Sequence, residues 1–240
     1  MINHNQCSGF TFKQFHVAHD RCAMKVGTDG ILLAAWLTLP AECRLLDVGC
    51  GTGLISLMLA QRMLGNVQID AIDIDAAACQ QTRQNVAHSP WPEAIQVFHQ
   101  SMQQFSCVQP YSLIVSNPPY FPAGQVFEHK RQQARHDGDL SAEQFFSALQ
   151  SLSDVQTRVG LILPCTEAPR WLTCAATKGW LVERKAMVRS LPHKAPIRML
   201  LLLSKQAHIL AHSEQILIYQ EDKNYSPQYV SLCRDFYLNM

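Results

Sequence analysis

Short apolar segments alternate with amphipathic segments along most of this 240-residue chain. The apolar segments are rich in Val, Ile and Leu and have the length of buried strands: 43–48, 67–72, 95–99, 112–116, 159–163 and 197–204. The segments between them show helical spacing of apolar residues: 54–63, 76–87, 141–153 and 166–177. This alternation is typical of parallel strands joined by right-handed crossover helices. We therefore expect an α/β fold with a doubly wound sheet and helices on both faces.

The chain length predicts one domain over residues 1–240, because a single core can grow to roughly 250 residues before a chain splits. Residues 1–42 and 205–240 flank the predicted sheet and are too short for independent domains. We expect the second of these flanks to add a strand and a helix. Hydrophobic residues make up 48% of the sequence and charged residues 16%, which excludes a disordered chain.

Cysteine usage and charge limit the class of protein further. The nine cysteines are scattered and contain no Cys-x-x-Cys pair, which favours reduced thiols in the cytoplasm over a zinc site or a redox pair. The longest apolar run, 31–37, is far short of the roughly 20 residues of a membrane span. The net charge of +1 gives no overall attraction to polyanions, so any nucleic-acid binding requires a local basic patch.

A glycine-rich loop follows the first predicted strand and begins the next helix. Residues 47–54 read DVGCGTGL, and glycines there let the backbone approach a ligand and adopt positive φ. Leu54 stands where a dinucleotide-binding loop needs its third glycine, which disfavours NAD. Asp73 ends the next predicted strand, where ribose hydroxyls need an acceptor, and Asp75 is interpreted as a helix cap. The alternative is a tight turn without a ligand.

The loop resembles the S-adenosylmethionine loop of class I methyltransferases. That resemblance implies S-adenosylmethionine as the cofactor, with Asp47 facing its cationic amino-acid end and the glycines beneath it, namely Gly49, Gly51 and Gly53. In that family an acidic residue usually follows the third strand. Here Gln100 and Ser101 stand in its place, and we expect an amide or hydroxyl to meet the adenine edge.

Residues 117–120 read NPPY at the end of the fourth predicted strand, which matches the amino-methyltransferase signature. Consecutive prolines fix φ near −65° and leave a rigid segment rich in acceptors. An exocyclic adenine amine is a poor nucleophile because its lone pair is conjugated with the ring. The side-chain oxygen of Asn117 and the carbonyl of Pro118 are expected to accept its hydrogens while Tyr120 stacks on the purine. The alternative is that Pro118 and Pro119 simply end a strand.

The terminal segments 12–30 and 218–240 are similar to the bacterial family that forms N6-methyladenosine at position 37 of a valine tRNA. That resemblance covers nearly the whole chain and implies a seven-stranded class I, Rossmann-like sheet. It also implies that residues 1–42 cover the cofactor, with Lys25, Thr28 and Asp29 lying over it, and that the substrate is the anticodon loop. Without the resemblance, Thr28 and Asp29 indicate only a helix cap.

Two basic segments are candidates for phosphate contacts with RNA. Segment 128–136 offers Lys130, Arg131 and Arg135 after the catalytic motif. Segment 183–198 contains Arg184, Lys185, Arg189, Lys194 and Arg198, and is equally typical of a solvated basic face. His16 and His19 have a spacing that suits a metal, but without a partner cluster we expect no metal site.

Other functions use the same NPPY motif. Methyltransferases of release-factor glutamine carry a helical domain ahead of the fold, and DNA adenine methyltransferases need a target-recognition domain. The flanks of this chain leave room for neither. A guanine-N2 methyltransferase of ribosomal RNA stays open. A non-catalytic RNA-binding module with this fold is disfavoured because the glycines, Asp73 and Asn117 are intact.

Overall fold

The computed structural model describes residues 8–22, 25–40, 44–119, 140–206 and 212–240. The strands in these ranges are β1 (Gly9–Thr11), β2 (His16–Ala18), β3 (Arg44–Val48), β4 (Gln68–Asp73), β5 (Ile95–His99), β6 (Leu113–Ser116), β7 (Arg158–Pro164), β8 (Leu181–Arg189), β9 (Arg198–Ser204) and β10 (His212–Leu217). The α-helices are α1 (Thr28–Trp36), α2 (Leu54–Arg62), α3 (Ala76–Ala87), α4 (Ala142–Leu152), α5 (Ala168–Thr177) and α6 (Pro227–Cys233).

Strands β3 to β10 form one sheet in the order β10-β8-β9-β7-β6-β3-β4-β5. All of them are parallel except β9, which is antiparallel to both of its neighbours. The chain runs from β3 to one side through β4 and β5, and then returns to β6 on the other side of β3. The ends of β3 and β6 therefore form the switch point at which doubly wound sheets bind ligands.

All six predicted strands are present, with bounds shifted by at most about one residue. The expected count of seven is wrong for this sheet, which has eight strands in the described part of the chain. Strands β8 and β10 have no continuous apolar run, because only Ala186 and Val188 of β8 and only Ile216 of β10 are fully buried. A register shift between Val182 and Arg184 also interrupts the pattern of β8.

Successive strand residues point into two separate cores, as the period of a β-strand requires. On one face, Leu45, Leu113 and Leu200 pack with α1, α2 and α6. On the other, Leu46, Ile114 and Leu201 pack with α4 and α5. Burial on both faces explains why the central strands are continuously apolar.

Side chains cap the starts of two helices, α3 and α4, and not the start of α1. Asp75 accepts from the backbone N–H of Ala77 at 2.9 Å, and Ser141 forms a capping box with Gln144. The cap interpretation of Thr28 and Asp29 is wrong, since Gly27 occupies the N-cap position of α1 without a side-chain hydrogen bond. Thr28 and Asp29 lie in the first turn, where their side chains are available for other contacts.

The two ends of the chain meet on the α1–α2 side of the sheet. Strands β1 and β2 form an antiparallel hairpin, and Phe12 bridges to Tyr237 beyond α6. The backbone N–H of Lys13 donates to the carbonyl of Phe236 at 2.8 Å. The hairpin thus joins the segment that leads to α1 to the C-terminal helix. No helix in the described ranges has both the length and the apolar character needed to cross a bilayer.

Candidate active site

The loop after β3 turns sharply because its backbone bonds to the neighbouring strand. The N–H groups of Gly49 and Cys50 both donate to the carbonyl of Ile72, at 2.9 and 3.0 Å. Gly49 and Gly51 have φ values of +74° and +56°, which favour glycine. A Cβ placed on either would meet no atom within 4 Å. The two glycines therefore border open space, as a loop that receives a ligand requires.

Gly53 faces protein instead of open space. A Cβ on Gly53 would lie 2.8 Å from Cγ2 of Thr82 in α3, so this glycine permits close packing of the loop on the helix. The hydroxyl of Thr82 donates to the carbonyl of Gly51 at 2.8 Å. The side chain of Asn85, one turn later, donates to the carbonyls of Thr52 and Ala18 at 2.8 and 2.9 Å. Helix α3 thus fixes the backbone of the glycine loop through these hydrogen bonds.

Thr82 and Asn85 were not predicted from the sequence to contact this loop. Both are buried polar residues on one face of α3, three positions apart. The N–H of Ala18 also donates to Asn85 at 3.0 Å, so a single side chain joins the N-terminal segment to the glycine loop. Polar residues at helical spacing on an otherwise buried face were the available signal.

Asp73 lies at the end of β4 beside the glycine loop. One carboxylate oxygen accepts from the N–H of Gly51 at 2.9 Å, and the other accepts from the N–H of Asp75 at 2.9 Å. Burial raises the pKa of Asp73, although these hydrogen bonds oppose the effect. Each carboxylate oxygen has more than one acceptor position, so capacity is left for further donors. Asp73 therefore stays a predicted acceptor for vicinal hydroxyls.

Asp47 lies beneath the loop and does not border the open space above it. Its side chain is fully buried, and one carboxylate oxygen accepts from the hydroxyl and the N–H of Ser56 at 2.6 and 3.2 Å. The other oxygen is buried without a hydrogen-bond partner in the described structure. Burial raises the pKa of Asp47 to about 6. In the structure Asp47 therefore supports the junction of loop and helix, and its expected position facing a cationic ligand group stays a prediction.

Asn117 follows β6 directly and lies beside the glycine loop. Val48 and Ser116 are paired across β3 and β6, and the hydroxyl of Ser116 donates to the carbonyl of Val48 at 2.8 Å. Gly49 directly follows Val48, and Asn117 directly follows Ser116. Asn117 is half-buried, Pro118 is buried and Pro119 is exposed. The strand pairing therefore brings the two predicted motifs to one point on the sheet edge.

A cavity of about 420 Å³ lies at this point. It is bordered by six of the predicted site residues, which are Lys25, Thr28, Asp29, Gly49, Gly51 and Asn117. Apolar side chains from the other half of the sheet complete its wall, among them Val188, Ile197 and Ile218. The cavity is thus lined by both polar and aliphatic groups, as are many small-molecule sites.

Arg198 also borders the cavity, and its position corrects the sequence analysis. It was a candidate for phosphate contact, but its Nε donates to a carboxylate oxygen of Asp29 at 2.7 Å. Arg184, from the same basic segment, pairs with Glu214 at 2.7 Å, and its guanidinium lies 4.4 Å from the ring centroid of Trp36. These two arginines hold the two ends of α1 to the sheet, so neither is a member of a solvated basic face.

The remaining predicted residues lie elsewhere. The N–H of Gln100 donates to the carbonyl of Asp73, and its side-chain amide donates to Gln104, at 2.9 and 2.8 Å. Ser101 begins the turn that follows. Tyr120, Lys130, Arg131 and Arg135 lie outside the described residues.

The two histidines noted in the sequence have local partners. His16 lies 2.8 Å from the Thr11 hydroxyl, and a ring nitrogen of His19 accepts from the N–H of Val26 at 3.4 Å. In the portion of the chain that the structure describes, no group of three or more His, Cys, Asp and Glu side chains is arranged to hold a metal ion.

Comparisons with known proteins agree with this geometry. The family model described as the methyltransferase small domain matches residues 22–136, which include the glycine loop and Asn117. A relative from Musicola paradisiaca, named tRNA1(Val) (adenine(37)-N6)-methyltransferase, is 44% identical over 238 residues, covering 98% of this chain and 96% of the relative.

Solved structures share the fold at low identity. A predicted O-methyltransferase from Agrobacterium tumefaciens has a TM-score of 0.67 at 16% identity, covering 87% of this chain and 96% of that one. A putative class I S-adenosylmethionine-dependent methyltransferase from Listeria monocytogenes has a TM-score of 0.56 at 16% identity, covering 84% of this chain and 65% of that one. The Rossmann-like α/β fold expected from the sequence is confirmed.

Proposed function

Because the chain belongs to the tRNA1(Val) (adenine(37)-N6)-methyltransferase family, we propose that it transfers a methyl group from S-adenosylmethionine to the exocyclic N6 of adenosine 37 in a valine tRNA. The observation that carries this proposal is the pairing of Val48 with Ser116. It places the glycine loop and Asn117 side by side at one cavity. A donor site and an acceptor site for the same group must be adjacent in this way.

The residues at the glycine loop fit S-adenosylmethionine. The open space beyond Gly49 and Gly51 admits a ligand against the backbone, and the carboxylate of Asp73 can accept from ribose hydroxyls. Lys25 and Thr28 at the cavity are candidates for its carboxylate end, whereas Asp29 is held by Arg198. We keep Gln100 and Ser101, which follow β5, as candidates for the adenine edge. When bound, S-adenosylmethionine supplies an electrophilic methyl group on a sulfonium.

Asn117 and Pro118 act on the amine that is to be methylated. The side-chain oxygen of Asn117 and the carbonyl oxygen of Pro118 each accept one amine hydrogen. Two such bonds hold the nitrogen lone pair out of the ring plane, toward the cofactor side of the cavity. Because Pro118 fixes φ, these acceptors are held in place before the substrate binds. Tyr120 is proposed to stack on the purine face, a contact worth about 1–3 kcal/mol.

An anticodon loop suits this site because its bases are already single-stranded, and one base can turn out at small cost. We propose Lys130, Arg131 and Arg135 as phosphate contacts that follow the motif in the sequence. We further propose that residues 1–240 act as one domain in the cytoplasm, where tRNA is found, without a metal ion. In this proposal residues 1–42 cover the cofactor and residues 205–240 complete the sheet edge.

The substrate can be tested directly with the purified protein. Total RNA and total protein from cells lacking the corresponding gene are incubated with methyl-labelled S-adenosylmethionine. We expect the label in valine tRNA as N6-methyladenosine, identified by nucleoside analysis. Label in ribosomal RNA as N2-methylguanosine, or in a protein glutamine, contradicts the proposed substrate. Binding of S-adenosylmethionine by calorimetry without any transfer supports the non-catalytic alternative.

The role of Asn117 is tested by Asn117→Ala with Asn66→Ala as the matched control. Asn66 is an exposed amide in the turn before β4, at the opposite edge of the sheet. Asn117→Ala should lower kcat by a factor of about 10² or more, because it removes an acceptor aimed at the amine. The calorimetric Kd for S-adenosylmethionine should stay near that of the wild type. Turnover in Asn117→Ala equal to that of Asn66→Ala excludes the proposed role.

A further inference from the structure

The connection between β8 and β9 emerges at the same sheet edge as the glycine loop and Asn117. Strand β8 is parallel to β10 and antiparallel to β9, and β9 is antiparallel to β7. The end of β8 at Arg189 and the start of β9 at Arg198 therefore lie at the carboxyl edge of the parallel strands. Residues 190–197, called the β8–β9 loop below, connect these two positions.

The β8–β9 loop is held at its base and within its turn. The N–H of Ile197 donates to the carbonyl of Val188 at 2.9 Å, and the N–H of Lys194 donates to Leu191 at 3.0 Å. The N–H groups of Ile218 and Tyr219 donate to the carbonyls of Arg189 and Ser190, at 2.9 and 3.0 Å. A loop with this many backbone bonds presents its side chains in a defined arrangement, which lowers the entropy cost of binding.

The acidic side chains near the loop have other partners. Asp29 binds Arg198, and Glu221 lies 3.3 Å from His193. Asp222 accepts from the backbone N–H and the side-chain amide of Asn224, both at 2.9 Å. Each of these three carboxylates therefore has a partner other than Arg189 or Lys194.

Two basic side chains of this surface, Arg189 and Lys194, have no acidic partner among the described residues. Lys194 is exposed. The Nε of Arg189 is buried and unpaired in the described structure, and the guanidinium bonds only weakly, at 3.5 Å, to the carbonyl of Pro192. A guanidinium with unused donors presents the planar fork that matches a phosphate group.

The same loop forms part of the cavity that contains Asn117. Val188 and Ile197, which flank Arg189 and Lys194, line the apolar wall of the cavity, and Ile197 is 47% exposed. A nucleotide whose base enters the cavity keeps its phosphates at the rim, because phosphates are too strongly hydrated to follow it inside. In the sequence Arg189 directly follows Val188, and Lys194 lies three positions before Ile197, so both belong to the segment that includes these two lining residues.

We propose that Arg189 and Lys194 bind backbone phosphates of the RNA next to the nucleotide held at Asn117, with Ile197 in contact with its sugar or base. This inference rests on the proposed function and names a part of the substrate surface that the catalytic motif does not provide. The ligand is single-stranded RNA backbone. Arg198 is excluded from the phosphate contacts by its ion pair with Asp29.

The test compares Arg189→Gln and Lys194→Gln with Lys178→Gln. Lys178 is an exposed lysine at the end of α5, which returns the chain to the opposite edge of the sheet, and its change removes the same charge. The wild type and each variant are titrated with the unmodified valine tRNA by fluorescence anisotropy at several salt concentrations. Each of the two loop variants should weaken binding about threefold to tenfold and reduce the slope of log K against log salt by about 1.

Steady-state kinetics distinguish a role of the β8–β9 loop in tRNA binding from a role in methyl transfer. The loop variants should raise KM for tRNA while kcat and the Kd for S-adenosylmethionine stay near those of Lys178→Gln. Loop variants that bind tRNA with the affinity and salt slope of Lys178→Gln overturn the inference, even if the wild type methylates tRNA. Wild-type protein that binds the tRNA through this loop without methylating it overturns the proposed function and leaves the surface supported.

Discussion

Arg198 at the start of β9 and Asp29 in the first turn of α1 form an ion pair at the cavity beside the glycine loop, with 2.7 Å between Nε and a carboxylate oxygen. Both side chains are partly buried, at 30% and 26% exposure. The pair ties the segment that contains Lys25 and Thr28 to the sheet edge. Its effect should therefore be seen in cofactor binding.

We predict that Arg198→Gln and Asp29→Asn each raise the Kd for S-adenosylmethionine about fivefold, as expected for loss of a partly buried pair worth about 1 kcal/mol. The double variant should be no weaker than either single variant, because the two side chains act through one contact. Isothermal titration calorimetry measures all three.

The Arg184–Glu214 pair provides the matched control for this prediction. It has the same 2.7 Å distance and similar exposure, and it holds the other end of α1. Glu214→Gln should lower the melting temperature about as much as Asp29→Asn without changing cofactor affinity. Equal losses of affinity in the two variants would mean that α1 is merely destabilised.

Gly51→Ala should impair cofactor binding more than it impairs folding. The variant forces an alanine to a φ of +56°, which costs about 1 kcal/mol, and points its Cβ into the space assigned to the ligand. Gly179→Ala is the control, since Gly179 has a φ of +78° and equally open surroundings after α5. We expect similar losses of unfolding free energy in urea and a weaker cofactor Kd only for Gly51→Ala.

Asn85→Ala should destabilise the protein by about 3 kcal/mol. The change leaves three buried backbone groups without their partner, the N–H and carbonyl of Ala18 and the carbonyl of Thr52. Gln80→Ala, at an exposed position of the same helix, should change the unfolding free energy by less than about 0.5 kcal/mol. Urea unfolding measures both, and equal values for the two variants contradict the bridging role of Asn85.

Asp47 gives the stability a pH dependence that Asp47→Asn should remove. Burial raises its pKa from 3.8 to about 6 in the folded state. The folded protein therefore binds this proton more tightly than the unfolded chain, and the wild type loses stability as the pH rises from about 4 to about 6. Over that range the unfolding free energy of Asp47→Asn should rise relative to the wild type by up to about 3 kcal/mol. A constant difference between the two proteins contradicts a buried, titrating Asp47.

Much of the central fold was predictable because its signals are local. The strands β3, β4 and β6 are largely buried on both faces, so their sequences are mainly apolar. Their ends are marked by the glycine loop, by Asp73 and by the NPPY motif. Strand β8 escaped prediction, and β10 was expected only as an unplaced strand within residues 205–240, because a strand near the sheet margin needs few apolar residues. The antiparallel direction of β9 has no local signature, since it follows from which neighbours a strand pairs with.

The roles of individual residues were likewise predictable where they depend on local sequence and unpredictable where they depend on tertiary contacts. The glycines at 49 and 51 and the cap at Asp75 depend on backbone conformation within a few residues, which the sequence records directly. The burial of Asp47 and its hydrogen bond from Ser56 could not be predicted, because burial depends on the surrounding elements. Thr82 and Asn85 act on a loop about thirty positions away, a distance over which sequence spacing predicts no contact.

The sequence by itself therefore determined the α/β class, the glycine loop, the motif at Asn117 and the family resemblance, since each depends on residue types in consecutive positions. Only the tertiary structure decided that Val48 and Ser116 are paired, that Arg198 binds Asp29, and that Arg189 and Lys194 have no acidic partner within the described ranges. The reason is physical. Ion pairs and burial depend on side chains from different strands and helices, and these side chains come into contact only when the sheet has formed.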